Sequence, residues 1–527
     1  MKRRYLISLV PPVVSETIRH YVYKNGQATA SDTLPAAEEG ETTICFGVAD
    51  LLTRYAERGE DINGVLVDVV SMAKQLIGRA KKEFQVGEEP WSLHRLVAGY
   101  FGDQGNDLRK AQRLLLGAER LERSEADSLL LKLVKSLSDA GEYLVSELKR
   151  VDEWERFDGI EQPIMQICVR RTTKGVHFCP ASTASVITEL DEEIYRHRNF
   201  LQLNHGVFSA RDPVEVRVAL LEAQAPQLAE LFGTSEFWPM LKAYVKVRTC
   251  NPLMESLYEE RRADLDKRTL LRLTAHNGQV FWPVFETMGT VTGRISVVDP
   301  NVQNLRKRYR SVFRAAPGLS LVYVDYAHFE ARILAHESND ALLIAAVGST
   351  DFYAAIGDSV LAESDRELSK VLFFTFCYGR ANRDWSAFAR EAGWAEPKAD
   401  EIKRNFGRYE RLMAYREELE NEAVKKGWMD TQCGNRRFLS RSDAVAPTWT
   451  LSQRIQGTAS LILKEAILEA EKVDGVEFLL PMHDAALFQV PESRKAELET
   501  SIVYIFESVM RRRCPRVEAR AVVKSFV

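Results

Sequence analysis

The stretch Leu321-Val-Tyr-Val-Asp-Tyr-Ala-His-Phe-Glu-Ala-Arg-Ile-Leu opens on a short apolar run that Asp325 closes. Downstream, Phe478-Leu-Leu-Pro-Met-His-Asp-Ala-Ala-Leu-Phe repeats the arrangement around Asp484. Both runs read as buried strands. A carboxylate at the mouth of an apolar sheet is costly to desolvate unless it is paired or holds a metal. Two on adjacent strands suit a pair of hard cations, which prefer oxygen ligands. Two such ions roughly 4 Å apart clamp the attacking and leaving oxygens of an in-line phosphoryl displacement. Taken singly, either aspartate reads more simply as the cap of a turn or helix. A third segment between them tips the reading toward chemistry.

That segment is Arg366-Glu-Leu-Ser-Lys-Val-Leu-Phe-Phe-Thr-Phe-Cys-Tyr-Gly. Arg366, Lys370, Phe374 and Tyr378 recur every four residues, so on a helix they form one slowly drifting stripe. Leu368, Leu372, Phe373 and Phe376 give apolar surface elsewhere on the cylinder, and Gly379 is placed to end it. Two cations followed by two rings match an elongated ligand with a polyphosphate at one end and a flat base at the other. Alone, the pattern reads first as an ordinary amphipathic helix with a solvated basic edge, since aromatics at helical spacing are usually core.

In this order the three segments resemble motifs A, B and C of the family A DNA polymerases. Thr292-Gly-Arg-Ile-Ser-Val-Val-Asp-Pro-Asn-Val-Gln-Asn-Leu, Gly427-Trp-Met-Asp-Thr-Gln-Cys-Gly-Asn-Arg-Arg-Phe-Leu, Gln456-Gly-Thr-Ala-Ser and Ile160-Glu-Gln-Pro-Ile-Met extend the resemblance over about residues 160 to 527. It implies an α+β, multidomain right-hand fold, with an antiparallel palm and helical fingers and thumb. The expected division is an exonuclease-like unit over 1–155, thumb 156–280, palm 281–355, fingers 356–440 and palm again 441–527. The implied activity is template-directed addition of dNTPs to primer-template DNA with two Mg²⁺ ions, Mn²⁺ being a possible substitute. By the same resemblance Asp325, Asp484 and the Tyr326 carbonyl hold the metals. Arg366 and Lys370 face the phosphates, and Lys370 protonates the leaving pyrophosphate, help worth ~10²–10⁴ in rate. Phe374 packs on the nucleotide, Tyr378 lies at the templating position, and Glu330 excludes a ribose hydroxyl. Arg294, Gln303, Asn304 and Gln456 read minor-groove acceptors, which occupy similar places in every base pair. His483 touches the primer-terminal backbone or else is a satisfied core histidine.

Composition agrees without discriminating: 527 residues, 45% hydrophobic, 28% charged and a net charge of -4 describe an ordinary globular chain. Positive charge is local. Arg306-Lys-Arg-Tyr-Arg-Ser-Val-Phe-Arg puts five cations in nine residues just ahead of motif A, a candidate phosphate contact. Seven cysteines lack metal or redox spacing, as in a reducing compartment. A cytoplasmic monomer with no membrane partner is expected. Met1-Lys-Arg-Arg and the apolar run after it read as a first strand rather than a leader, being interrupted at Pro11-Pro12. Helical periodicity is heavy from about 105 to 155 and from about Val214 to Leu273.

The first strand, Tyr5-Leu-Ile-Ser-Leu-Val-Pro-Pro, carries no acid where a 3′–5′ exonuclease of this resemblance has two. Asp50, Glu125 and Asp127 are candidate remnants of the other acids. The region is expected to be exonuclease-like and inactive, in the manner of a phage or mobile-element enzyme, with an unrelated partner-binding domain as the alternative. Other departures are Ala485 for the second acid of motif C, Tyr353 for a phosphate-facing histidine, Ser452 for an asparagine and Thr448 for an arginine. A single-subunit RNA polymerase and a non-catalytic nucleic-acid-binding derivative are the competing functions. Glu330 and the Thr292–Asn304 stretch disfavour the first, and joint retention of Asp325, Asp484, Arg366 and Lys370 the second.

Overall fold

The computed structural model of the chain describes residues 2–526 apart from 12–15, 57, 61, 63, 86–88, 103–105, 235, 248–250, 276–277, 362–365, 379–394 and 441–448. Pro12, Gly379 and Thr448 lie outside the described residues, as does the side chain of Phe376. Among the described residues no helix is long and apolar enough to cross a membrane.

Five strands begin the chain: β1 (Lys2–Leu9), β2 (Arg19–Lys24), β3 (Gln27–Ser31), β4 (Glu41–Cys45) and β5 (Val65–Asp68). They form one sheet in the order β3-β2-β1-β4-β5, with β1 antiparallel to β2 and parallel to β4. Side-chain alternation sends Tyr5 and Ile7 to one face, against Leu130, Leu133 and Leu137 of the helix Arg123–Arg150. That helix lies so close that a Cβ on Gly141 would stand 2.5 Å from the Tyr5 ring. Leu6 and Leu66 face the other way, onto Met165 and Val169 of the helix Gln162–Lys174. A continuous helical run, Trp154–Arg156, Phe157–Glu161 and Gln162–Lys174, therefore passes through the expected boundary at 155/156.

Ser8, at the end of β1, sits in a buried cluster instead of beside acids. Its hydroxyl lies 3.2 Å from His20 Nδ1 and accepts from Tyr55 Oη at 2.9 Å. The candidate remnants have separate partners: Asp50 pairs with Arg54, Glu125 with Lys110 and Asp127 with Arg19. Burial lowers the His20 pKa to about 4, so between roughly pH 6.5 and 4 the unfolded chain binds a proton that the fold refuses. The His20 contribution to stability is thus complete above pH 6.5 and lost as pH falls to 4. Asp68, raised to about 6 by burial although it accepts three backbone N–H groups, changes in the opposite sense below pH 6. Only a difference measurement isolates His20. The stability of the native chain relative to His20→Gln, from urea unfolding, is expected to fall by about 3 kcal/mol between pH 6.5 and pH 4. A difference that stays flat would contradict the assignment.

Beyond the first unit, β6 (Val176–His177) pairs with β7 (Val280–Phe281), and β8 (Val284–Glu286) with β9 (Ser296–Asp299). Between them stand the long antiparallel-packed helices Pro180–His205 and Pro252–Leu273, with Pro213–Glu222, Pro226–Leu231 and Phe237–Val247 at their far end. Within the basic run ahead of motif A, Arg306 proves to be an internal anchor for these helices, while Lys307, Arg308 and Arg314 are exposed. Arg306 is tied to Asp266, Glu193 and Glu259, and Arg308 to Glu193. Arg314 donates to the Ser311 and Phe313 carbonyls. Partly buried cations must be paired, and the helices supply the carboxylates.

The central sheet contains β10 (Leu319–Tyr326). After the hairpin β11 (Trp428–Thr431) and β12 (Gly434–Phe438), the chain returns through β13 (Glu477–Met482), β14 (Ala485–Pro491) and β15 (Ala521–Val523). The sheet order is β13-β14-β10-β15, antiparallel throughout. Helices Thr450–Ala470 and Lys495–Arg513 back it, with Phe488 and Phe506 wholly buried. The helices Phe352–Val360, Arg366–Cys377, Glu396–Gly407 and Glu410–Lys426 stand between β10 and β11. The first of them spans the expected 355/356 boundary.

The first unit is fastened to this assembly by polar contacts as well as by its sheet. Gly78, at φ 51°, accepts from the Phe438 N–H, and a Cβ there would stand 2.1 Å from the Arg436 carbonyl oxygen. Below it, Glu161 takes Arg156 at 3.0 Å and Lys464 at 2.5 Å, all three buried.

Candidate active site

Strand register creates the site. Asp325 pairs across with Ala485, the residue immediately after Asp484. β13 and β14 are joined by the two residues His483 and Asp484, with His483 at φ 59°, a left-handed conformation tight hairpin turns require. Asp484 is thereby lifted beside Asp325, far from it in the chain. Its carboxyl is raised to about 7 by burial and by the charges of Glu330 and Asp325, against Arg294 and Lys370. Crowding of negative charge at the mouth of an apolar sheet is what a bound cation relieves.

Glu330 lies in the first turn of the helix Phe329–Ser338 and is buried. One carboxylate oxygen receives Arg294 and the other the Tyr378 hydroxyl at 2.5 Å. Arg294 also stands 3.7 Å from Asp484 Oδ1. A tight turn delivers that arginine: Gly293 is at φ 77° and donates to the Thr290 carbonyl, while Ser460 donates to the Gly293 carbonyl at 2.6 Å. Burial and Glu330 push the Tyr378 phenol well above its ordinary value.

The stripe expected from spacing lies on the helix Arg366–Cys377 with Tyr378 just beyond it. Phe374 and Tyr378 are stacked, with centroids 5.8 Å apart and planes at 15°. Arg366 and Lys370 both lie over the Tyr353 ring, at 5.3 and 5.7 Å, and Arg366 pairs with Asp351 at 3.1 Å. Tyr353, read from sequence only as a departure, is thus the platform under both cations.

A cavity of about 320 Å³ brings Arg294, Gln303, Asn304, His483 and Asp484 to one wall. Gln303 differs from its expected part. Both of its amide hydrogens go to protein carbonyls, those of Ile295 at 3.1 Å and Pro481 at 3.0 Å, and its oxygen accepts from the Val297 N–H. Its donors are spent joining β9 to β13, so it positions the wall instead of donating to a groove. Asn304 is exposed and donates to Asn301. Gln456 is half-buried one residue before Gly457, where a Cβ would stand 2.3 Å from the Thr431 methyl group. His483 is exposed at its turn, so the core-histidine alternative does not describe it. The Tyr326 side chain is structural: its hydroxyl donates to the Phe506 carbonyl and its ring stacks on Phe329. One contact had no motif to announce it: Lys524 Nζ lies 2.5 Å from Asp325 Oδ2.

Among the described residues no group of three or more His, Cys, Asp or Glu side chains converges as a metal cage. Two carboxylates and a strand-end carbonyl are a partial set of hard oxygen donors. Such a set fits a divalent ion whose remaining ligands are water and substrate phosphates.

A family model described as DNA polymerase family A matches residues 221–523. The chain is 26% identical over 389 residues to the thermostable DNA polymerase I of Thermus thermophilus, covering 67% of this chain and 46% of that protein. It is 24% identical over 489 residues to DNA polymerase I of Mycobacterium tuberculosis, covering 85% and 52%. The chain spans about half the length of the curated relatives it matches. Its fold is similar to the POL domain of Pol1 from M. smegmatis, solved in complex with DNA primer-template and dNTP. The TM-score is 0.76 at 20% identity, over 99% of this chain and 94% of that one.

Proposed function

The chain belongs to DNA polymerase family A, and from that premise we propose that it is a template-directed DNA polymerase, adding deoxynucleotides to a primer 3′-hydroxyl and lacking proofreading. The observation that carries the reading is the register of β10 on β14, which sets Asp325 beside Asp484 at the mouth of the sheet. In the proposal these two carboxylates and the Tyr326 carbonyl hold two Mg²⁺ ions. Divalent metal there supplies activation of the 3′-hydroxyl and neutralisation of the triphosphate.

The protein groups divide the remaining work. Arg366 and Lys370, held over Tyr353, receive the phosphates, and Lys370 gives a proton to the departing pyrophosphate oxygen. Phe374 stacks against the incoming base and sugar. Glu330, fixed from both sides by Arg294 and Tyr378, fills the space a ribose 2′-hydroxyl needs. Arg294, Asn304, Gln456 and His483 line the product side. The proposed divisions are a first unit to about 155, a thumb to 280, a palm in two parts and fingers over 356–440. Primer extension offered dNTPs or rNTPs, with Mg²⁺, with Mn²⁺ and with chelator, tests the reading. Metal-dependent extension by dNTPs supports it, and preference for rNTPs would favour the RNA polymerase alternative.

Absence of proofreading rests on β1, whose end offers Ser8 in a hydroxyl–imidazole cluster and no carboxylate. A mismatched, end-labelled primer should stay intact with Mg²⁺ or Mn²⁺ and no dNTPs, because no metal concentration restores missing ligands. Stepwise shortening that persists in Asp325→Ala would show a working nuclease in the first unit.

A further inference from the structure

β10 is covered on both edges at Asp325. β14 brings Asp484 to one side; on the other, β15 pairs Val522 with Asp325, and the Lys524 N–H continues the ladder to the Tyr323 carbonyl at 3.0 Å. The residues after β15 are packed down. Phe526 is buried, 5.8 Å from the Phe313 ring and 5.4 Å from the Tyr323 ring, with the Arg310 guanidinium over it. Lys524 therefore extends from a held strand end, and its ammonium meets Asp325 Oδ2 at 2.5 Å. The Asp325 side chain is 20% exposed and that of Lys524 48%, so the carboxylate is enclosed while the lysine has solvent to swing into.

We propose that Lys524 is a resident counter-ion of the metal-binding carboxylates, competing with divalent metal for Asp325 and so setting how much metal the site requires. The inference rests on the reading of Asp325 and Asp484 as metal ligands. Glu330 is already paired with the Arg294 guanidinium and hydrogen-bonded by the neutral Tyr378 hydroxyl, whereas Asp325 has Lys524. A dication arriving at Asp325 meets a like charge a few ångströms away, and repulsion at that range in a partly enclosed site is substantial. The four-carbon stem lets the ammonium withdraw once metal is seated. Ala485, where the family pattern has a second acid, removes a negative charge from the position paired with Asp325. Both features weaken metal binding in the same direction.

The test is Mn²⁺ titration of the full chain without DNA or nucleotide, with free Mn²⁺ read from its electron paramagnetic resonance signal. Native chain, Lys524→Gln, Lys524→Arg and Asp325→Asn are compared. Lys524→Gln should bind Mn²⁺ about five- to tenfold more tightly than native, a range between an exposed ion pair and a partly buried one. Lys524→Arg, which keeps the charge, should resemble native, and Asp325→Asn should lose the site. The Mg²⁺ concentration giving half-maximal extension should fall in parallel for Lys524→Gln. The backbone bond to Tyr323 survives both lysine substitutions, so an unchanged melting temperature verifies folding. If Asp325→Asn abolishes binding but Lys524→Gln binds no tighter than native, the counter-ion role is overturned. If Asp325→Asn binds as native does, the metal reading itself fails and takes this inference with it.

Discussion

Asp325→Ala and Asp484→Ala are each expected to lower nucleotide addition by roughly 10³-fold or more while leaving primer-template affinity close to native. The two carboxylates come from different parts of the chain and meet only through the β10–β14 register. Among the described residues neither has a neighbour able to replace it, since residue 485 is alanine and Glu330 is engaged by Arg294 and Tyr378. Affinity for duplex comes chiefly from many backbone contacts spread over a wide surface, so the loss should appear in turnover and not in binding. Asp325→Ala also releases Lys524, and a freed ammonium adds positive charge beside the primer terminus, which argues further against weakened binding. Single-turnover extension and equilibrium binding of a labelled duplex measure the two quantities separately. Extension near the native rate by either variant would remove the two-metal assignment.

Glu330→Ala should raise ribonucleotide use relative to deoxyribonucleotide use by about 100-fold, the scale on which a shaped pocket rejects an added hydroxyl. The structure adds a second consequence. Glu330 joins Arg294 to Tyr378, so its removal frees the arginine to move onto Asp484, 3.7 Å away, and leaves the phenol without its acceptor. Efficiency with dNTPs should therefore fall as well. Glu330→Gln separates the effects: the amide keeps the bulk, so sugar selectivity should stay, while its uncharged oxygen holds Arg294 more weakly than a carboxylate does and dNTP efficiency should drop. The ratio of kcat/KM for matched dNTP and rNTP pairs decides between these outcomes. An unchanged ratio in Glu330→Ala would mean that the carboxylate does not face the sugar.

Much was legible in the sequence because it was local or periodic. The apolar runs ending at Asp325 and Asp484 read as strands and are strands, and the four-residue spacing of Arg366, Lys370, Phe374 and Tyr378 read as one helical face, which the Phe374–Tyr378 stack shares. The antiparallel central sheet and the order of the motifs were likewise accessible from residue pattern and family resemblance. What pattern could not supply was the partner of each polar group. Arg306 reads as an exposed cation until Glu193, Glu259 and Asp266 close on it. Gln303 reads as a donor toward a ligand until Ile295 and Pro481 take both of its hydrogens. Tyr353 reads as a lost histidine until two cations lie over its ring. Lys524 belongs to no motif, and only the pairing of β15 on the free edge of β10 places it against Asp325. Backbone preference and apolar periodicity act over a few residues and survive in the linear order. Charge pairing and hydrogen bonding act through space over a few ångströms, and which groups come within that range is settled only when the strands take their register and the helices close over them.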